Sequence, residues 1–379
     1  MALGLLAFGG MAWRLVLEIQ RLLVLPEGPI DLLILRRMIE PWFAGVPFYE
    51  DRGGIHPPTV FLLLYPIYGW GSEAVGRWFY LLTAGPAAAA FAWLLVREAR
   101  PAGAADHALL AGLVIGGYPA AITIGNGQIT FFVLLAALAG VLLCLRAAPG
   151  TGRDAALGIL FLVALIKPNL SLPFFWVIAF RRGWLRPAAL AIGGYLFATV
   201  ASVALHGAGF ADLPAMVAAW YERADYGLVK TGYGNVHAWL GALGLKAWIL
   251  PASGLIFALH GLWARRHREA DLLVLLGVAG IVARIWGYHR VYDDLLLIFP
   301  LIALYRIGWS GPRAGGARFL FLLGAAALAA PVTPILARAS WALVAIWLLQ
   351  LGYLIRLCSV ADGGTRRDRL LSFDDVTGR

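Results

Sequence analysis

Residues 26–58 read PEGPIDLLILRRMIEPWFAGVPFYEDRGGIHPP, the largest polar interruption in a chain otherwise built of apolar runs. The run before it extends from residue 2 through Leu25, and apolar character resumes at 57–70 and 74–97. A bilayer crossing needs about 20 consecutive apolar residues, so this stretch reads as a loop leaving and re-entering a membrane. Asp31 stands at its start, where the first run reaches the surface. An ionisable residue held against a bilayer is costly and usually functional.

Working outward, composition agrees with that placement. The chain has 379 residues, 61% of them hydrophobic and only 14% charged, with a mean hydropathy of +0.78. A soluble domain of this size needs more polar surface, whereas a polytopic membrane protein does not. The formal net charge of +10 comes from 31 basic against 21 acidic residues. The arginines lie in short loops between apolar runs, as in positive-inside topology, and nucleic acid is not an expected partner. Lysine occurs only at 167, 230 and 246, and with the many Ala and Gly residues this points to a GC-rich bacterial genome. Cys144 and Cys358 lack CxxC spacing or neighbouring His, and read as small core residues. The opening MALGLLAFGGMAW has no basic start and no obvious cleavage site, so a retained first transmembrane helix is expected over a signal peptide.

Arginine-bearing connections at 97–100, 146–153, 181–186, 265–268 and 306–318, together with the tail, are expected on the cytoplasmic side. The alternate connections are GNGQ (125–128), KPN (167–169), the long 207–235 loop and GYHRVYDD (287–294). These face outward together. Asp31 shares their side if 57–97 crosses once, with 74–97 spanning and the proline-bearing 57–70 lying in the interface. Residues 30–44 alternate apolar positions with Arg36, Arg37 and Glu40 and read as a second interfacial helix, with 211–223 a third candidate. The expected architecture is an all-α polytopic membrane protein with about 12 transmembrane helices, both termini cytoplasmic. One membrane domain covers 1–360, and a polar, flexible tail covers 361–379. No internal repeat was found to suggest an inverted-repeat transporter.

Asp31 has two readings: a general base accepting a proton from an attacking hydroxyl, or an N-cap for the amphipathic helix after Pro29. Glu50 and Asp51 lie beside Arg52 and two glycines, as in a solvated turn, and Gly45, Pro47 and Tyr49 read as turn and packing residues. Arg36, Arg37 and His56 suit a lipid phosphate or ordinary anionic headgroups. Asn126 and Gln128 offer amides to sugar hydroxyls, or form an ordinary Asn-Gly turn. Lys167 breaks an apolar run beside Pro168, where its ammonium suits a phosphate in a cavity; a snorkelling lysine is the alternative. The segment ARIWGYHRVYDD gathers Arg284, His289, Arg290, Asp293 and Asp294, either as a phosphate and sugar site or as a salt-bridge network. KTGYGNVH (230–237) offers Lys230, Tyr233, Asn235 and His237 for a sugar or acceptor. No HExxH, GxSxG, P-loop or dinucleotide fingerprint occurs in a convincing context, and no DxD pair in the first loop suggests a metal-held nucleotide sugar.

Several of these segments, in this order, resemble bacterial membrane glycosyltransferases of the GT-C fold, specifically glycosyltransferase family 87, the polyprenyl-phosphate-mannose-dependent alpha-mannosyltransferase-like group. Asp31 stands 14 residues before Gly45 and 18 before Tyr49 in GVPFY, followed by His56-Pro57-Pro58. GNGQITFFVLL is similar to a GQ-x-N segment, ALIKPNLSLPFF with RRGW to a lysine-proline element and basic loop, and YHRVYDDLLLIFP to a late segment ending in Pro300. The turn lacks the usual acidic residue, His56 replaces an aromatic, and Asp293-Asp294 stand where some relatives have His-His.

The resemblance implies Asp31 as catalytic base and the 284–294 cluster, with Lys167, at the donor phosphate. Asn126, Gln128, Asn235, His237, Asp293, Asp294 and His56 are candidates for sugar or acceptor contacts. It further implies a polyprenyl-phosphate sugar donor, a glycolipid or glycan acceptor, no separate cofactor, and an inverting transfer on the outer face of a bacterial cell membrane. No metal ligands are assigned, and assistance by a divalent ion is left open. A transporter or flippase of polyprenyl-linked sugars, or a non-catalytic subunit of an envelope-assembly complex, are the competing classes.

Overall fold

The computed structural model describes residues 2–46, 56–180, 183–219, 234–309, 314–329 and 340–363. The described residues contain helices and no strand. The first helices are α1 (Ala2–Val24), α2 (Ile30–Phe43), α3 (Pro58–Tyr68), α4 (Glu73–Ala99) and α5 (Ala104–Gly116). They are followed by α6 (Tyr118–Asn126), α7 (Thr130–Arg146), α8 (Thr151–Ala164), α9 (Pro168–Ala179) and α10 (Leu185–His206). After the long loop come α11 (Val236–Ala242), α12 (Ile249–Arg266), α13 (Leu272–Trp286), α14 (Ile298–Trp309), α15 (Ala314–Ala329) and α16 (Ser340–Gly363). A tight 3-10 segment, Val291–Leu297, joins α13 to α14.

Four described helical stretches are long and apolar enough to cross a membrane: Glu73–Ala99, Leu185–His206, Lys246–Arg266 and Trp341–Cys358. The pair α5–α6, bent by 42° at Gly117, counts as a fifth if it is one span. Five further apolar helices have only 10–17 residues. The cause is visible in the sequence. Leu165 to Lys167 separates α8 from α9, and Gly287 to Arg290 with the 3-10 turn separates α13 from α14. Each piece falls below the length a crossing needs. α4 is the long helix expected over 74–97, while the proline-bearing α3 is only 11 residues long.

α13 is buried at every position from Leu273 to Ile285, so it is surrounded by protein. α14, α9 and α7 share that core, where Phe299 meets Phe91 edge-to-face and Phe174 at a tilt. The outer helices turn apolar residues outward instead, among them Leu190, Leu196 and Phe197 on α10 and Leu255 and Leu262 on α12. That inversion suits lipid as the surrounding solvent.

Arginines fasten the first loop to this bundle. Arg77 of α4 donates to the carbonyls of Leu22, Leu25 and Pro26, closing the end of α1. Arg36 of α2 donates to Trp70 and Gly71 in the α3–α4 turn. At the far end of α2, Trp42 stacks on His206 and donates to the Ser202 carbonyl, while His206 Nδ1 donates back to the Trp42 carbonyl at 2.6 Å. α2 is therefore pinned at its middle against the α3–α4 turn and at its end against α10. Residues 213–219 are helical, within the 211–223 candidate; its last residues, like Lys230 and Tyr233, lie outside the described residues. So do Pro47, Tyr49, Glu50, Asp51 and Arg52, and the tail beyond Gly363.

Candidate functional site

α2 begins at Ile30 after Pro29, and no side chain caps it. Asp31 is thus the second residue of the helix and not its cap. Its side chain turns into the bundle, leaving only 7% of the residue exposed. The side-chain amides of Gln128 and Asn126 face its carboxyl as hydrogen-bonding neighbours, and the charges of Lys167 and Arg290 act on it. Among the described residues its Oδ2 has no hydrogen-bond partner. Burial pushes the acid above its ordinary range; Lys167, Gln128, Arg290 and Asn126 pull back without restoring it.

The GNGQ loop reaches Asp31 through a close backbone approach. Gly127 has φ +72°, and a Cβ there would stand 2.5 Å from the Cβ of Leu32, the next residue after Asp31. Both conditions demand glycine. Two tyrosines fix the loop from beneath: Tyr68 donates to the Gly127 carbonyl at 2.9 Å, and Tyr80 to the Gln128 carbonyl at 2.8 Å. The amide ends are set as well. Gln128 Oε1 accepts from the Ile129 N–H at 3.2 Å, and Asn126 Oδ1 accepts from Arg21 of α1.

Across from Asp31 lies a second constellation with Asp293 at its centre. Lys167 Nζ donates to Asp293 Oδ1 at 2.6 Å and lies over the Tyr292 ring. Asp293 Oδ2 receives the Arg290 backbone N–H at 3.1 Å and pairs with His289 Nδ1 at 3.3 Å. Burial works to raise the Asp293 carboxyl, but Lys167 and His289 outweigh it and hold the acid below its usual range. Burial keeps the His289 imidazole below its usual range, with Asp293 opposing. Neutral His289 donating from Nδ1 leaves Nε2 as an acceptor, and that buried atom has no hydrogen-bond partner among the described residues. Arg290 Nε is steered by the Tyr288 hydroxyl at 2.6 Å. His56 feels Lys167 too: burial first, and that charge second, draw its imidazole down to about 4.

Thus Asp31, Asn126, Gln128, His56, Lys167, His289, Arg290 and Asp293 converge, from five separate parts of the chain. Arg284 and Asp294 sit deeper. They form a buried ion pair, with the guanidinium over the Trp347 ring at 4.7 Å. Asn235 caps α11 through the Ala238 N–H at 2.9 Å and reaches the His289 carbonyl at 3.5 Å. His237 Nε2 pairs with the Ser253 hydroxyl at 2.9 Å. Arg36 is engaged by carbonyls and Glu40, whereas Arg37 is exposed. No group of three or more potential metal ligands from His, Cys, Asp and Glu occurs among the described residues.

Asn169 was not singled out from the sequence, although it completes the KPN element. Its amide donates to the Tyr288 carbonyl and its own carbonyl accepts from Trp286 Nε1, both at 2.8 Å. Lys167 and Asn169 together therefore hold the His289 loop, one by its ammonium and the other by its side-chain amide. Tyr68 and Tyr80 carried no signal beyond their apolar surroundings.

A family model for glycosyltransferase family 87 matches residues 55–305. The match takes in the converging residues from His56 to Asp293, whereas Asp31, Arg36 and Arg37 precede it. Neither the curated proteins nor the solved structures yield a match to this chain.

Proposed function

Because the chain belongs to glycosyltransferase family 87, a family of membrane glycosyltransferases, we propose that it moves a hexose, mannose first among the candidates, from a polyprenyl-phosphate donor. The acceptor is a hydroxyl of a glycolipid or envelope glycan at the outer face of a bacterial cell membrane. A GT-C arrangement with about 12 spans, the short helices pairing to complete crossings, fits this reading.

In the reaction the acceptor oxygen attacks the anomeric carbon while its proton passes to Asp31. The bond from that carbon to the phosphate oxygen breaks on the opposite face, so the centre inverts. The leaving polyprenyl phosphate takes the bonding pair. Lys167 and Arg290 supply cations near the charge that builds there. His289, held by Asp293 on one nitrogen, keeps Nε2 as an acceptor, suited to a sugar hydroxyl of the donor. The observation that carries this reading is the buried, partly unpartnered carboxyl of Asp31 facing two cations. A carboxyl raised by burial is a better base once ionised, and such bases contribute about 100- to 10,000-fold in rate.

Asp31→Asn should insert and fold like the wild type yet lose sugar transfer from a polyprenyl-phosphate sugar in proteoliposomes. Transfer at the wild-type rate by that variant removes Asp31 from the mechanism. Passage of intact donor across the vesicle without a new glycosidic bond identifies a flippase instead.

A further inference from the structure

Three charged residues of α1 form a ladder that leads to Asp31. Arg14 pairs with Glu18 Oε1 at 2.6 Å, and Glu18 Oε2 pairs with Arg21 Nε at 2.8 Å. Their spacing of four and three residues places them along one helix face. Glu18 is only 3% exposed. A carboxylate buried at that depth needs its cations. Arg21 then donates from Nη2 to Asn126 Oδ1, and the Asn126 amide faces Asp31.

A second observation shows that the packing is shaped for this ladder. Gly125 lies in α6 directly against it: a Cβ there would fall 2.0 Å from Glu18 Oε2 and 3.0 Å from Arg21 Nη2. Only a residue without a side chain lets the ladder reach the GNGQ loop.

We infer that Arg21 is a positioning residue for Asp31: by occupying the amide oxygen of Asn126, it keeps the N–H2 end turned toward the carboxylate. An asparagine amide has an acceptor end and a donor end, related by a half-turn about one bond. Facing a carboxylate, the donor end attracts and the acceptor end repels. Arg21 removes that choice, and Glu18, with Arg14 behind it, holds Arg21 in place. Gln128 is fixed in the same sense by the Ile129 N–H, so two donor ends face one acid. Lys167, Arg290, Tyr68, Tyr80 and Tyr292 also act on Asp31 or are acted on by it, and none of them belongs to the ladder. Any catalytic benefit rests on Asp31 being the base; the orientation of the amide does not.

The test follows the Asp31 carboxyl directly, by infrared difference spectroscopy of the full-length protein in proteoliposomes across a pH series. The band that disappears in Asp31→Asn identifies it. Loss of a donor disfavours the ionised form, so Arg21→Met should move the midpoint up by about one pH unit. Gly125→Ala, which displaces the ladder but leaves every charge in place, should move it in the same direction. Arg21→Lys keeps a cationic donor and should stay near the wild-type midpoint. An unchanged midpoint in both Arg21→Met and Gly125→Ala overturns the inference, and so does a shift in Arg21→Lys as large as in Arg21→Met. Sugar transfer is not part of this readout, so a chain that proves not to be a transferase leaves the result interpretable.

Discussion

At the scale of single residues, the acid and the lysine opposite it govern how the site responds to pH. Burial holds the Asp31 carboxyl above its ordinary value of 3.8, while Lys167 is the strongest influence lowering it. A base works only when ionised, so transfer should fall as pH drops through this raised value and recover above it. Lys167→Met removes that lowering charge, and the acidic limb of kcat/KM against pH should move further up, by about one unit. The same change removes a cation near the departing phosphate, so the plateau at higher pH should also fall, by about 100-fold. A pH–rate series on both proteins separates the two effects. Asp31 was legible in the sequence because it stands alone at the edge of an apolar run, and its place inside α2 now excludes the capping explanation. Its neighbours were legible only as types. Nothing in the spacing of Lys167 and Asp293, 126 residues apart, announces that one neutralises the other.

At the scale of elements, two short segments set the working distances. The GNGQ loop has no slack against α2, since Gly127 combines a left-handed backbone with direct contact to Leu32. Gly127→Ala therefore carries a conformational cost of about 1–2 kcal/mol and also presses α2 away from the amides. Thermal unfolding in detergent should show the modest loss of stability, and transfer should drop by more than that loss explains. The KPN element behaves differently. Asn169→Ala gives up one hydrogen bond to the Tyr288 carbonyl, worth about 1 kcal/mol, and loosens the loop that presents His289 and Arg290. Folding should survive, with a rise in KM for the donor larger than the fall in kcat. The amphipathic helix over 30–44 and the break at Lys167 were readable from periodicity and proline. The tyrosine props under GNGQ were not, because an aromatic in an apolar run looks the same whether its hydroxyl holds a carbonyl or none.

At the scale of the whole molecule, the all-helical membrane class was plain from composition, while the number of crossings was not. Apolar runs read as spans, yet several fold as helices of 10–17 residues around α13, which is buried from Leu273 to Ile285. Hydropathy reports burial in protein and burial in lipid alike, so it cannot separate a short core helix from half of a crossing. Topology is nevertheless testable through the chain's own chemistry. Both native cysteines are buried, which keeps background labelling low. A cysteine placed at exposed Glu27 should react with a membrane-impermeant maleimide added outside intact cells, whereas one at exposed Arg186 should react only after permeabilisation. The reverse pattern puts the Asp31 pocket on the cytoplasmic side and removes the proposed outer-face reaction.

The arginine clamps bear on how this protein meets other polyanions. Arg36 and Arg77 spend their guanidinium groups on backbone carbonyls, and Arg284 is sealed against Asp294 beneath the Trp347 ring. All three also pair with acids, Glu40, Glu73 and Asp294, so the formal excess of +10 resides on other residues. Adhesion to negatively charged vesicles should accordingly weaken with added salt, and replacing any of these three arginines should leave that salt dependence nearly unchanged.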